Sequence, residues 1–183
     1  MSDTRKFGAL QQTFHGATAF VLFGQIPLAW YMIDLPLSPD KLGTYALHKS
    51  IGMVLFALAV SRAVWALLAK RPALPGTMPR WQVLASKGVE FLLYILVILM
   101  PITGWLMSSA ANFPVSVFGV VTLPDLVEPN EALFEQLKFG HMMQSRLLIA
   151  LAAIHILAAL KHHFIDKDNV LMSMLPWSGT DKS

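Results

Sequence analysis

The stretch that decides the fold runs from His141 to His163 and reads HMMQSRLLIALAAIHILAALKHH. It is a long apolar run with His141 near its start, His155 deep inside it, and His162 and His163 where it stops. His155 follows His141 by 14 residues. In an α-helix the two therefore lie on nearly the same face, about 21 Å apart along the axis. Such a helix suits a protein that stacks two cofactors across a membrane and takes one ligand for each from this helix.

The composition is that of a membrane protein. Of 183 residues, 55% are hydrophobic and only 14% are charged, whereas a soluble domain carries about 25% charged residues. The absence of cysteine excludes disulfides, iron–sulfur clusters, thiolate zinc sites and covalently attached haem. The net charge of +3 comes without a basic stripe outside the membrane-flanking positions, so no nucleic-acid partner is expected.

Four apolar runs are long enough to span a bilayer, which takes about 20 residues. Helices or closed barrels are the structures that satisfy the backbone in lipid, and these runs lack the alternation of barrel strands. The sequence therefore predicts an all-α integral membrane four-helix bundle, a single domain over residues 1–183. The predicted helices are 14–33, 47–69, 87–107 and 131–163, the last with Asn130 or Pro129 near its start.

The distribution of lysine and arginine predicts the orientation. One side of a four-span bundle collects ten of these residues: Arg5, Lys6, Arg62, Lys70, Arg71, Arg80, Lys87, Lys161, Lys167 and Lys182. The other side keeps four: Lys41, Lys49, Lys138 and Arg146. Because cytoplasmic flanks carry the excess of positive charge, both termini are expected in the cytoplasm.

This topology places the histidines in pairs at two depths. His15 and His155 lie towards the cytoplasmic side, and His48 and His141 towards the outer side. Each pair comes from two different helices, as bis-histidine ligation of haem in a four-helix bundle requires. The alternative is that these histidines only hydrogen-bond to neighbouring helices. A carboxylate-bridged di-metal centre is disfavoured, because no carboxylate lies at helical spacing from them inside the membrane.

Two basic residues are candidates for binding the propionates of an outer haem. Arg146 lies inside the fourth apolar run, and Lys49 follows His48. An arginine in an apolar setting favours a bidentate carboxylate. The alternative for both is that they extend to the lipid headgroups as interface anchors.

Three segments carry a resemblance to a known family. LHKSIG (Leu47–Gly52), PVSVFG (Pro114–Gly119) and ALKHHFIDKDNVL (Ala159–Leu171) resemble the bacterial cytochrome b561 family, di-haem b membrane proteins, and the likeness covers nearly the whole chain. Within this family the chain is similar to the branch often found beside periplasmic lipid-binding proteins of lipocalin-like fold. It is more distantly similar to the superoxide-oxidising member that reduces ubiquinone. The chain departs from the family at Gly16, where a tryptophan is usual, and at Glu90, where a histidine is frequent.

The resemblance implies haem ligands at His15, His48, His141 and His155, paired as above, and a quinone site near His162 and His163. A histidine there can also pass a proton to a reduced quinone. The expected function is electron transfer through two b haems between the periplasmic side and the quinone pool of the bacterial inner membrane, with superoxide as a candidate donor and ubiquinone as acceptor. The alternative is a haem-containing anchor or quinol-oxidising subunit that serves a periplasmic redox or lipid-binding partner. A non-haem transporter is a weaker alternative, because no inverted repeat or pair of broken helices is found.

Overall fold

The computed structural model describes residues 6–69, 72 and 78–175. Within these residues the long helices are α1 (Ala9–Asp34), α2 (Pro39–Leu68), α3 (Arg80–Ala110) and α4 (Glu131–Lys161). A hairpin of β1 (Ser116–Val117) and β2 (Val121–Thr122) lies between α3 and α4, and a π-helical turn (His162–Asp166) and α5 (Val170–Ser173) follow α4. All four long helices have the length and apolarity to cross a membrane. The predicted all-α four-helix membrane fold is confirmed.

The helices extend beyond the predicted apolar runs. α1 starts at residue 9 rather than 14, α2 at 39 rather than 47, and α3 runs over 80–110 rather than 87–107. The fourth helix, predicted to reach residue 163, ends its α-helical part at 161 and continues as the π-helical turn. The predictions followed the apolar part of each helix alone, whereas polar helix ends leave the hydrocarbon and meet water or headgroups.

Capping residues explain where two of these helices begin. The Ser38 side chain accepts a hydrogen bond from the Lys41 backbone N–H at 3.3 Å, and Pro39 occupies the first helical position. The Asn130 side chain accepts from the Leu133 N–H at 2.9 Å. This cap confirms the predicted start of the fourth helix.

Two ends of the bundle can be named from the described elements. The end that carries the β-hairpin is called the hairpin end here, and the end where α1 begins and α4 stops is called the termini end. Four of the bases used to predict the orientation, Arg5, Lys70, Arg71 and Lys182, lie outside the described residues. The cytoplasmic location of the termini therefore stays a prediction.

The helices pack in the order of the chain. α1 contacts α2, α2 contacts α3, and α3 contacts α4, whereas the described parts of α1 and α4 do not pack closely against each other. The buried core lies midway along the bundle: Leu55, Ala59, Leu96, Val97, Leu148 and Leu151. Leu55 follows His48 by seven residues and Leu148 follows His141 by seven, so this apolar layer separates the two levels of histidines.

The segment between α3 and α4 is attached to the helices by polar contacts. Ser50, which is 2% exposed, accepts a hydrogen bond from the Phe118 N–H at 2.9 Å. Its hydroxyl lies 3.1 Å from the Ser116 carbonyl oxygen and 2.8 Å from that of Ala46. The Trp105 indole N–H donates to the Pro124 carbonyl at 3.0 Å. These bonds hold the hairpin against the end of α2 that carries His48.

Replacing Ser50 with alanine should loosen the hairpin. Ser50→Ala leaves the Phe118 N–H without its acceptor, and an unmade buried hydrogen bond costs about 1–3 kcal/mol. We expect a lower melting temperature in detergent and faster proteolysis between residues 111 and 130. Ser145→Ala is the matched control, because the Ser145 hydroxyl bonds to Met142 of its own helix and is solvent-accessible. Equal melting temperatures for the two variants would contradict this role of Ser50.

Candidate functional site

His15 and His155 face each other at the termini level. His15 lies on α1 and His155 on α4, and their ring centroids are 6.2 Å apart with the ring planes at 64°. The two rings meet across the gap between helices that do not pack closely. They line a cavity of about 190 Å³, together with Thr18, Arg62 and ten further residues of all four long helices.

This arrangement fits a metal held between the two rings. With metal–nitrogen bonds of about 2 Å, two imidazoles on opposite sides of one metal have ring centroids about 6 Å apart. The His15 Nδ1 atom is buried and has no hydrogen-bond partner, whereas buried polar atoms are normally satisfied. His155 is exposed and lines the same cavity. The residues present therefore fit a flat cofactor that enters between α1 and α4.

At the hairpin level His141 is held by α3. Its Nδ1 lies 3.1 Å from the Thr103 hydroxyl oxygen, and that hydroxyl donates to Gln144 Oε1 at 2.8 Å. A His141 tautomer with its hydrogen on Nδ1 completes this chain and leaves Nε2 for a metal. A Cβ atom added to Gly104 would lie 3.3 Å from His141 Cε1. The lack of a side chain at Gly104 thus leaves the space that the His141 imidazole occupies.

His48 is the second histidine of this level. It lies within electrostatic reach of His141, and its Nδ1 is buried without a hydrogen-bond partner. Its carbonyl oxygen accepts a hydrogen bond at 2.9 Å from Nε2 of Gln25, a buried residue of α1. Gln25 thus fixes α1 against α2 at the level of His48.

The two candidate propionate contacts have different surroundings. The Lys49 ammonium group donates to the carbonyl oxygens of Phe113 and Pro114 at 3.1 and 2.8 Å and to the Ser108 hydroxyl at 3.1 Å. Its three N–H groups are all used, so Lys49 ties α2 to the hairpin segment. Arg146 is exposed on the outside of α4. A propionate contact by either residue stays a prediction.

His162 and His163 lie in the π-helical turn. His162 Nδ1 is 2.7 Å from an Asp168 carboxylate oxygen and 3.2 Å from one of Asp166. Lys161 also reaches Asp166, at 2.6 Å. His163 packs edge-on against Phe164, with ring centroids 4.7 Å apart. Only His162 of this pair is therefore joined to carboxylates in the part of the chain that the structure describes.

Several residues near the histidines were not identified from the sequence as part of the site. They are Thr18, Gln25, Arg62, Tyr94, Thr103, Gly104 and Gln144. One signal was present: Arg62 follows His48 by 14 residues, the same spacing that separates His155 from His141. The other contacts depend on which helices are neighbours, which periodicity alone does not reveal.

Comparison with known proteins gives consistent results. The family model described as "Prokaryotic cytochrome b561" matches residues 6–177. "Cytochrome b561 homolog 2" of Escherichia coli K12 is 33% identical over 181 residues, which cover 96% of this chain and 94% of the relative. "Cytochrome b561 homolog 1" of the same strain is 30% identical over 75% of this chain and 80% of the relative. A "Probable superoxide oxidase CybB" of Yersinia pestis is 27% identical over 94% of this chain and 97% of the relative.

The haem b that the family implies is consistent with the arrangement of the histidines in the structure. A family of cytochromes implies haem b, and two pairs of histidines, three of them half-buried and His155 exposed, lie at two levels of a helical bundle that can cross a membrane. The match over residues 6–177 spans nearly the whole chain. With this match and a relative at 33% identity, the chain belongs to the prokaryotic cytochrome b561 family of membrane electron-transfer proteins.

Proposed function

We propose that this protein carries electrons between the two faces of the bacterial inner membrane through two b haems, with a quinone as the redox partner at the termini end. His15 and His155 ligate one haem, and His48 and His141 ligate the other. The observation that carries the proposal is the pair of rings from α1 and α4, 6.2 Å apart across a cavity between helices that do not pack closely.

When bound, a b haem with two histidine ligands exchanges single electrons at a potential set by ligation, burial and nearby charge. The chain supplies neutral imidazoles, of which His141 is oriented by Thr103. The apolar layer around Leu55 and Leu148 keeps water out between the two levels. The 14-residue spacing on α4 places the two ligands about 21 Å apart along the helix.

The proposed ligand pairs predict a selective loss of haem. His15→Ala and His48→Ala should each leave one b haem per chain instead of two, because each removes one proposed ligand of a different pair. The measurement is the haem-to-protein ratio together with the reduced-minus-oxidised spectrum of the purified protein. His163→Ala, which changes a histidine outside both pairs, is the control and should keep two haems. Intact parent protein without haem absorbance would contradict the proposal.

The termini end offers a means of proton transfer to a quinone. A quinone takes up protons as it is reduced, and His162 lies against Asp166 and Asp168 where the π-helical turn leaves the bundle. Asp166 and Lys161 are exposed on that turn. Protons can therefore pass from the surface carboxylates to the imidazole, which supports His162 as the proton donor or acceptor. His163 remains the second proposed contact of the quinone.

Removing the imidazole should slow quinone chemistry while sparing haem. A positioned acid or base contributes roughly 100-fold or more to a proton-transfer step. We expect His162→Gln to slow haem reduction by a ubiquinol analogue about 100-fold in stopped-flow mixing, with haem content unchanged. The control is Glu135→Gln on the exposed start of α4. A rate equal to the parent's would remove His162 from the proton path.

The substrate at the hairpin end is a separate question. The name of the Yersinia pestis relative includes superoxide oxidase activity, and superoxide is accordingly the donor that we propose for this end. The predicted outer side counts four bases, including Lys49 and Arg146, against six acids: Asp34, Asp40, Asp125, Glu128, Glu131 and Glu135. A broad field that attracts an anion is absent from this count, so any steering must be local.

Mixing with superoxide tests this donor directly. We expect superoxide to reduce the haems of the oxidised protein in stopped-flow spectra faster than buffer and free haem do. His48→Ala should abolish the fast phase, because it removes a proposed ligand of the haem nearest that surface. If superoxide gives no reduction above the controls while ubiquinol does, the electrons leave through the hairpin end to another acceptor.

A docked partner is the second candidate for the hairpin end. The hairpin exposes apolar side chains at its tip, with Val120 at 84% and Phe118 at 57% exposure. An exposed apolar patch is typical of an interaction surface. A protein that binds there would make this chain the haem-containing membrane subunit of a larger electron-transfer assembly.

A further inference from the structure

Arg62 places a guanidinium group at the level of His15 and His155. It lies on α2, is half-buried and lines the same cavity as the two histidines. It follows His48 by 14 residues, just as His155 follows His141. Since α2 and α4 run in the same direction, the two equal spacings bring Arg62 and His155 to the same depth.

The guanidinium of Arg62 has few protein contacts among the described residues. Its Nε atom is buried without a hydrogen bond, and no ion pair of Arg62 is found among the residues that the structure describes. Glu90 lines the same cavity and is itself engaged in an interaction. An arginine inside a membrane bundle is costly unless an anion or a chain of hydrogen bonds compensates its charge.

Tyr94 determines which part of the guanidinium remains available. The Arg62 Cζ atom lies 4.7 Å from the centroid of the Tyr94 ring, a cation–π contact that uses the flat face of the guanidinium. The N–H groups point along the edge of that plane, so the contact leaves them free to donate. A rigid fork of edge N–H groups matches the two oxygens of a carboxylate.

We propose that Arg62 binds a carboxylate in this cavity, and that the carboxylate is a propionate of the haem held by His15 and His155. This inference rests on the proposed ligand pair. A quinone oxygen is the competing ligand, but it offers one acceptor atom, whereas the guanidinium can donate two parallel hydrogen bonds. Arg62 is then a positioning residue that fixes how the haem sits in the gap between α1 and α4.

The charge has a consequence for the redox potential. A cation beside a haem favours the reduced state, which carries one positive charge fewer than the oxidised state. Arg62 therefore raises the midpoint potential of the haem at the termini level. At the hairpin level the residues bonded to His141 and to the His48 backbone, Thr103, Gln144 and Gln25, are neutral, and the one nearby cation named here, Lys49, is bonded to the segment after α3.

Redox titration of the purified holoprotein tests the inference. Arg62→Gln should lower the midpoint potential of one haem, or release that haem, while the other haem is unchanged. Arg62→Lys keeps the charge but not the fork, so we expect a smaller shift of the same haem and a folded protein. Arg80→Gln, an exposed arginine at the start of α3, is the matched control. Parent potentials and haem content in both Arg62 variants would overturn the inference.

A second measurement identifies the carboxylate. Full-length protein is produced under haem depletion and reconstituted with haem or with haem dimethyl ester, whose propionates carry no charge. If Arg62 binds a propionate, the ester shifts the potential of this haem in the parent and shifts it much less in Arg62→Gln. An equal shift in both proteins overturns the inference. Failure of the ligand pair itself gives a different result, because His15→Ala would then keep both haems.

Discussion

A polar group inside a membrane bundle must find a partner, and this constraint organises the structure. Most polar side chains of the described residues meet it with local bonds, as Thr18 does to the carbonyl oxygen one turn before it at 2.6 Å. The buried atoms left without a partner are few and grouped: Gln11 Oε1, His15 Nδ1, Gln25 Oε1, His48 Nδ1 and Arg62 Nε. His15 and Arg62 line the termini-level cavity, and Gln25 binds the backbone of His48. The unsatisfied groups thus mark the two histidine levels and leave the apolar layer between them free of polar groups.

The helix packing follows from the same constraint. Apolar side chains alone would let four helices close into a bundle with every neighbour in contact. Here α1 and α4 remain apart over their described lengths, and the histidines of both helices face the gap. The buried core is correspondingly small and lies in one layer of α2, α3 and α4. A bundle that is to hold flat cofactors lacks helix–helix contacts at the positions of the cofactors. A tight aliphatic layer between those positions stabilises the shape of the bundle.

The sequence predicted the features that depend on one helix at a time. Four apolar runs and the 14-residue spacing of His141 and His155 predicted four spanning helices and two levels, and the structure confirms the helices and brings His15 to His155. Contacts between different helices and loops could not be predicted from the sequence. Lys49 was predicted to contact a propionate or to anchor the interface, yet its three N–H groups bind the end of α3 and the segment after it, whose course depends on positive φ angles at Asn112, Phe118 and Gly119. Arg62 was counted only as an orientation signal, since nothing in a single helix shows that Tyr94 of α3 covers its face.

The equal spacings on α2 and α4 place Arg62 at the level of one of the two histidine pairs. Four turns from the hairpin level, α4 again presents a histidine, whereas α2 presents an arginine. The ligand sets proposed for the two haems are the same, so ligation alone gives them no reason to differ in potential. The proposed contact of Arg62 with a propionate supplies such a difference, since a cation favours the electron at the termini end and its effect is strong in a medium of low dielectric constant. With the donor proposed for the hairpin end, an electron then moves downhill towards the proposed quinone site, where His162 lies 2.7 Å from Asp168. On this proposal the fixed charge of α2, rather than the histidines, favours one direction of electron transfer.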